Sequence, residues 1–197
     1  IPRFYDASAG QVCFLGQDVR KYRRKELRNQ IGIVPQKAVL FAGTVRENMQ
    51  WGKKDATDEE IWEALKTAQA EEFIRAKEGG LDANIEQGGR NLSGGQRQRL
   101  TIARALVKKP RVLILDDSAS ALDYATDAAL RKAIRQMEGA PTVFIVSQRT
   151  SSLMSADRIL VLDDGERTGY GTHEELLKNC QTYREIYNSQ YGKKEEA

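Results

Sequence analysis

Residues 92–123 read LSGGQRQRLTIARALVKKPRVLILDDSASALD, and the order of features within them decides the fold. Ser93 precedes the pair Gly94-Gly95, and an apolar-faced helical pattern then runs through Val107. A helix that opens on glycines exposes unpaired backbone N–H groups at the positive end of its dipole, and a serine hydroxyl adds one more donor. That arrangement suits a phosphate, although by itself it is equally an N-capped helix behind a glycine-rich loop. Lys108, Lys109 and Pro110 close the helix, leaving a short connection of the kind that leads from helix to strand. Val112 to Leu115 follows as an apolar strand and ends in Asp116-Asp117. A carboxylate at the mouth of a parallel sheet commonly holds a nucleotide-bound magnesium ion, and Asp116 fits that role. Two acids at that point serve equally well as caps of the next helix.

Working outward, Thr142 to Ser147 (TVFIVS) and Arg158 to Leu162 (RILVL) are further apolar runs of the type buried on both faces. Between strands, Leu130, Ala133, Ile134 and Met137 recur at helical spacing. Alternating strands and helices predict an α/β fold with a parallel sheet. Asp163-Asp164-Gly165 predicts a hairpin turn, and Thr172-His173-Glu174-Glu175 a capping box that starts the final helix. The single histidine, His173, is thereby a first-turn residue and not a catalytic one. From Lys37 to Arg104 the pattern is helical, with a second capping box at Thr57 and Glu60 ahead of Ile61, Ala64, Leu65 and Ala68. The expected organisation is a sheet core from residues 1–36 and 105–197, with residues 37–104 as an inserted helical lobe. The tail YGKKEEA is expected to be frayed and solvated.

Composition narrows the function classes. In 197 residues, 40% are hydrophobic and 30% charged, which indicates an ordinary folded domain and not a disordered chain. The net charge is only +3 and the cations are not gathered in one arm, so nucleic acid is not an expected partner. Cys13 and Cys180 stand apart with no Cys/His cluster, which speaks against a metal site. No stretch approaches the roughly 20 apolar residues of a membrane span, and the start IPRFYDASAG lacks the pattern of a signal peptide. The expectation is a chain facing the cytosol, joined to any membrane through another segment or subunit.

LSGGQRQRLTIARAL followed by LILDDSASALD resembles the signature sequence, Walker B strand and D-loop of ABC ATPases, in that family's order and spacing. Upstream, Ile31-Gly32-Ile33-Val34-Pro35-Gln36 and Leu40 to Asn48 (LFAGTVREN) resemble its Q-loop region. Downstream, Val146-Ser147-Gln148-Arg149 stands where the family has a switch histidine. The resemblance implies the RecA-like parallel-sheet core of an ABC ATPase, with ATP and Mg2+ as cofactors. It implies that Gln36 senses magnesium and the attacking water, and that Asp116 holds the metal. It further implies that Ser93, Gly94, Gly95 and Gln96 contact ATP bound mainly by an opposed subunit, with Asp123 in the D-loop at that interface. Glu86-Gln87-Gly88-Gly89 is similar to a segment that in exporters touches the partner's coupling helix, so an exporter is expected over an importer. The implied partners are a second ATPase subunit, identical or not, and a transmembrane domain, at the cytoplasmic face of a membrane.

Three departures from that family pattern shape the expected activity. No G-x-x-x-x-G-K-[ST] occurs, and Gly52-Lys53 and Gly192-Lys193 lack the earlier glycine, so the chain is expected to start after that loop and, alone, not to hydrolyse ATP. Asp117 replaces the usual glutamate that orients or deprotonates the attacking water, shortening the reach by about 1.5 Å; a misplacement of about 1 Å can cost on the order of a hundredfold in rate. Gln148 replaces the switch histidine and loses a charged donor to the γ-phosphate. Together these resemble the degenerate half of heterodimeric exporters, in which an intact signature serves the partner's site. The alternatives are an active homodimer that tolerates both residues, a non-transport ABC ATPase, and a nucleotide-independent interaction module. The second of these calls for coiled-coil insertions or a basic linker, and the sequence has neither.

Overall fold

Two parallel strands cannot be joined by a hairpin, so the chain between Ile31 and Asp116 must leave the sheet and return. The computed structural model of the chain, which describes residues 1–118 and 121–191, shows that excursion and divides into two units, Ile1–Phe144 and Ile145–Ala197. In the first unit β1 (Cys13–Phe14) and β2 (Gln17–Asp18) form a small antiparallel ribbon. It leads to α1 (Arg24–Asn29) and β3 (Ile31–Val34). Phe14, Val19, Leu27, Ile31 and Val112 close into one apolar cluster beneath these elements.

The excursion begins with β4 (Gly43–Thr44), α2 (Val45–Gln50), α3 (Asp58–Thr67) and α4 (Glu71–Arg75). Thr44 with Glu47 and Thr57 with Glu60 each form a complete capping box, satisfying backbone donors that would otherwise be unpaired at the start of α2 and α3. The second box is the one expected from sequence. β5 (Asn84–Ile85) pairs antiparallel with β4, a short ribbon within a stretch expected to be helical throughout. α5 (Gly94–Leu106) then returns the chain to the sheet. Leu100, Ile102, Ala103 and Leu106 are fully or almost fully buried, because α5 packs on α2, α3 and β3 at once. A Cβ on Gly32 would lie 3.0 Å from the Ala105 carbonyl oxygen, so β3 and the end of α5 approach as closely as a bare backbone permits.

β6 (Val112–Asp116) pairs parallel with β3 over four aligned residue pairs, from Ile31 opposite Val112 to Val34 opposite Leu115. α6 (Tyr124–Arg135) buries Leu130 and Ile134, two of the residues placed on its inner face by spacing. β7 (Thr142–Val146) completes the sheet in the order β3-β6-β7. β6 is buried as expected of a central strand, but β7 is not: Phe144 is 44% and Val146 55% exposed. β7 ends the sheet order while β6 is flanked on both sides, and an apolar run does not encode that position.

The second unit holds β8 (Ile159–Asp163) and β9 (Glu166–Gly171), an antiparallel hairpin. The expected turn is present, with Asp164 and Gly165 both at positive φ of 47° and 82°. The expectation that β8 is buried on both faces as part of a parallel sheet fails. Ile159 and Val161 pack with Leu176, Cys180 and Tyr183, while Leu160 and Leu162 stay exposed. Helices cover one face of a two-stranded ribbon, so the strand alternates. The expected single final helix is two, α7 (His173–Asn179) and α8 (Gln181–Tyr191), separated where Cys180 takes an extended conformation and buries its thiol. The Thr172–Glu175 capping box is present, and His173 Nδ1 meets the Tyr183 hydroxyl at 2.8 Å. Residues 192–197, including most of the tail and Gly192-Lys193, lie outside the described residues.

Candidate functional site

Parallel register brings the first pair of candidate residues together. Val34 lies opposite Leu115, so Gln36 and Asp117, each two residues further on, leave the sheet level with one another. The Gln36 amide nitrogen donates to Asp117 Oδ2 at 3.4 Å, joining side chains 81 positions apart. Asp117 is half-buried and holds a left-handed backbone at φ 44°, a conformation that aspartate tolerates better than most residues. Asp116, at the last position of β6, is exposed.

The second group gathers at the start of α5. Ser93 is the N-cap: its Oγ accepts from the Gln96 backbone N–H at 3.2 Å, and Gln96 Oε1 accepts in return from the Ser93 N–H at 2.9 Å. Gly94 leaves open space where a side chain would stand: beyond its own helix backbone and chain neighbours, the nearest described atom to its Cβ position is Arg97 Nη2 at 3.9 Å. Gly95 differs, since its Cβ would lie 3.3 Å from the Ala121 carbonyl oxygen. Gly95 is thus seated against the segment that leads into Asp123. Asp123 caps α6, accepting from the Thr126 N–H at 2.9 Å and the Thr126 hydroxyl at 2.7 Å. These bonds hold its carboxyl below the usual carboxylate range. Ala119 and Ser120, within the stretch read as the D-loop, lie outside the described residues.

Gln148 belongs to the second unit and is exposed; its backbone carbonyl accepts from Gln190 Nε2 at 2.7 Å. Gln190 Oε1 in turn accepts from the Thr150 N–H at 2.9 Å and hydroxyl at 3.0 Å, so α8 clamps the turn that carries Gln148. Sequence reasoning missed this clamp, which depends on contacts across 40 residues. It also missed Arg97, whose Nη1 donates to the Leu92 carbonyl at 2.7 Å and braces the approach to Ser93. Asn48 was missed too, although a polar residue on the inner helical face between Val45 and Met49 is a readable sign. It is 1% exposed and bonds the Phe41 N–H, the Phe41 carbonyl and the Thr44 carbonyl.

The donor set suits magnesium and not a self-sufficient metal cage. Among the described residues no group of three or more His, Cys, Asp or Glu converges. One exposed carboxylate, Asp116, and one exposed amide, Gln36, stand near the level strand ends. Magnesium is typically bound by one or two protein groups, with phosphates and water completing its shell.

The sequence profile of the ABC transporter family matches residues 1–120. An uncharacterized ABC transporter ATP-binding protein of Mycobacterium bovis is 46% identical over 193 residues, covering 96% of this chain and 33% of that protein. YfiB of Bacillus subtilis, also named an uncharacterized ABC transporter ATP-binding protein, is 47% identical over 193 residues, covering 98% of this chain and 33% of its own length. A solved structure of a bacterial Atm1-family ABC exporter with ATP bound is similar at a TM-score of 0.91 and 36% identity, over 98% of this chain and 34% of that one. The chain spans about a third of the length of these relatives. Its mixed α/β fold matches the exporter's, and with the profile matched over residues 1–120 this chain belongs to the ABC transporter family.

Proposed function

We propose that this chain is the ATP-binding part of an ABC exporter and couples ATP binding and hydrolysis to transport across a membrane. The observation that carries this reading is the pairing of Gln36 with Asp117 at the level ends of β3 and β6. It sets an amide and a carboxylate together at the strand ends, where sheet proteins of this class handle phosphoryl groups. MgATP supplies the phosphoryl group and the divalent charge. Asp116 and the Gln36 amide oxygen would hold the metal, which would offset phosphate charge, and Gln36 and Asp117 would orient the attacking water. Ser93, Gly94, Gly95 and Gln96 present backbone and side-chain donors to ATP held by a second subunit opposed head to tail, and Asp123 shapes that same interface. Residues 37–104 act as a helical lobe on a core built from the remaining residues. A transmembrane domain is the other partner, which puts the chain at the cytoplasmic face of the membrane.

The finer reading is that this subunit's own site is slow while its signature serves the partner. Asp117 falls short of the reach of a glutamate, and Gln148 offers no charged donor. Introducing Asp117→Glu together with Gln148→His in the full-length transporter should raise MgATP turnover by at least about tenfold, as expected when a misplaced base and a missing charged donor are restored. Unchanged turnover in a folded double variant would sink the slow-site reading. Failure of the unsubstituted transporter to bind MgATP would sink the ATPase reading itself.

A further inference from the structure

Arg104 stands in the last turn of α5 and is bonded in a way that stability alone does not explain. Its Nη2 donates to the Val39 carbonyl at 2.8 Å, and its guanidinium lies 5.6 Å from the centre of the Phe41 ring. Phe41 in turn rests on Trp51, with ring centroids 4.8 Å apart. Nη1 is shielded from solvent and has no hydrogen-bond partner among the described residues. Burial pushes the guanidinium's pKa down from its ordinary value. A shielded donor left unmade is destabilising, the more so on a charged group. An uncharged side chain of similar length would fill the space without that cost.

The position of the contact supplies the missing reason. Val39 follows Gln36 by three residues on the chain's way out of the core, and Arg104 ends α5 on its way back. The backbone is pressed together at the same place: a Cβ on Gly52 would collide with the Arg104 carbonyl oxygen and lie 2.8 Å from Val107 Cγ1. α5 is a continuous helix from Gly94 to Leu106, so whatever fixes its last turn also fixes the direction of its first.

We infer that Arg104 is a positioning residue that ties the two crossings between core and helical lobe, making Gln36 and the Ser93 end of α5 move together. This rests on the ATPase reading above for its consequence in turnover, but not for the tie itself. A carbonyl and a ring face need a planar fork with fixed charge, which is what arginine provides and lysine provides only in part.

The test uses the full-length protein with Arg104→Met and Arg104→Lys, followed by amide hydrogen exchange and steady-state ATPase kinetics. With Arg104→Met, exchange of the Phe41 amide, which is bonded to Asn48, should speed up by about tenfold while residues 112–116 of β6 keep their protection, as expected for a local opening. In the same variant kcat should fall by about tenfold with KM for ATP within about twofold, the signature of lost positioning and not of lost binding. Arg104→Lys should recover part of both effects. Unchanged exchange at Phe41 overturns the tie, and so does equal acceleration at 112–116, which would mean general loosening. If the unsubstituted protein turns over no ATP, the ATPase reading fails, and the exchange result still decides the tie.

Discussion

Gln36 donates its side-chain amide to Asp117, and the two residues meet because the strands that carry them end in register. The same carboxylate stands on a backbone turned to φ 44°. Two demands therefore meet at Asp117. Its side chain must reach a partner on the neighbouring strand, and its main chain must hold a conformation that longer L-residues adopt less readily.

The first prediction separates those demands. Asp117→Glu should lower stability by about 1 kcal/mol, because glutamate lacks the short side chain that eases the left-handed conformation. Thermal unfolding measures this directly. A variant that gains turnover and loses melting temperature shows the two demands acting separately, whereas an unchanged melting temperature shows that the backbone at 117 is not strained.

The glycine pair should divide in its response to alanine. Gly94→Ala meets open space and gains helix propensity, so it should leave stability level or raise it by about 0.5 kcal/mol. Gly95→Ala gains the same propensity but presses on the Ala121 carbonyl oxygen, and should be the less stable of the two by about 0.5–1 kcal/mol. Denaturant midpoints of the two variants, taken side by side, give the comparison. The reverse order would show that Ala121 gives way.

Asn48 holds a tight loop through one amide. Asn48→Ala removes the partner of the Phe41 N–H and of the Phe41 and Thr44 carbonyls, and should cost about 2–3 kcal/mol. Exchange of the Phe41 amide should rise with it. A loss below about 0.5 kcal/mol would mean that water replaces the side chain without penalty.

Asp123 gives a pH signature. Its folded pKa is depressed below the unfolded value of about 3.9, so its contribution is present above that value and is lost as pH falls through the folded pKa. The melting-temperature difference between the native chain and Asp123→Asn should be constant above about pH 5 and shrink below about pH 4. A difference that stays flat down to about pH 3 would show that the Thr126 bonds do not favour the carboxylate.

The sequence was most informative where local chemistry decides the outcome. Thr57 with Glu60 and Thr172 with Glu175 read as capping boxes because the whole interaction fits within one turn, and both are present. Asp164-Gly165 read as a turn for the same reason. β6 was legible as a strand, and the alternation of strands and helices predicted a parallel sheet, the arrangement in which β6 pairs with β3. What stayed hidden depends on neighbours distant in sequence. Nothing in TVFIVS distinguishes a central strand from a terminal one, so the exposure of Phe144 and Val146 could not be read. Nothing near Gln148 announces Gln190. The Gln36–Asp117 contact was named only as two separate residues, since their meeting is a property of register.

The chain's two thiols form a built-in pair of chemical reporters. Cys13 is exposed, while Cys180 is 4% exposed beneath Gly169, where a Cβ would come within 2.8 Å of its sulfur. A thiol reagent should modify Cys13 at once and Cys180 only when the α7–α8 corner lifts from the β8–β9 hairpin. Labelling rate at Cys180 thus clocks the opening of that unit in the unaltered protein, with Cys13 as its internal standard for reagent strength.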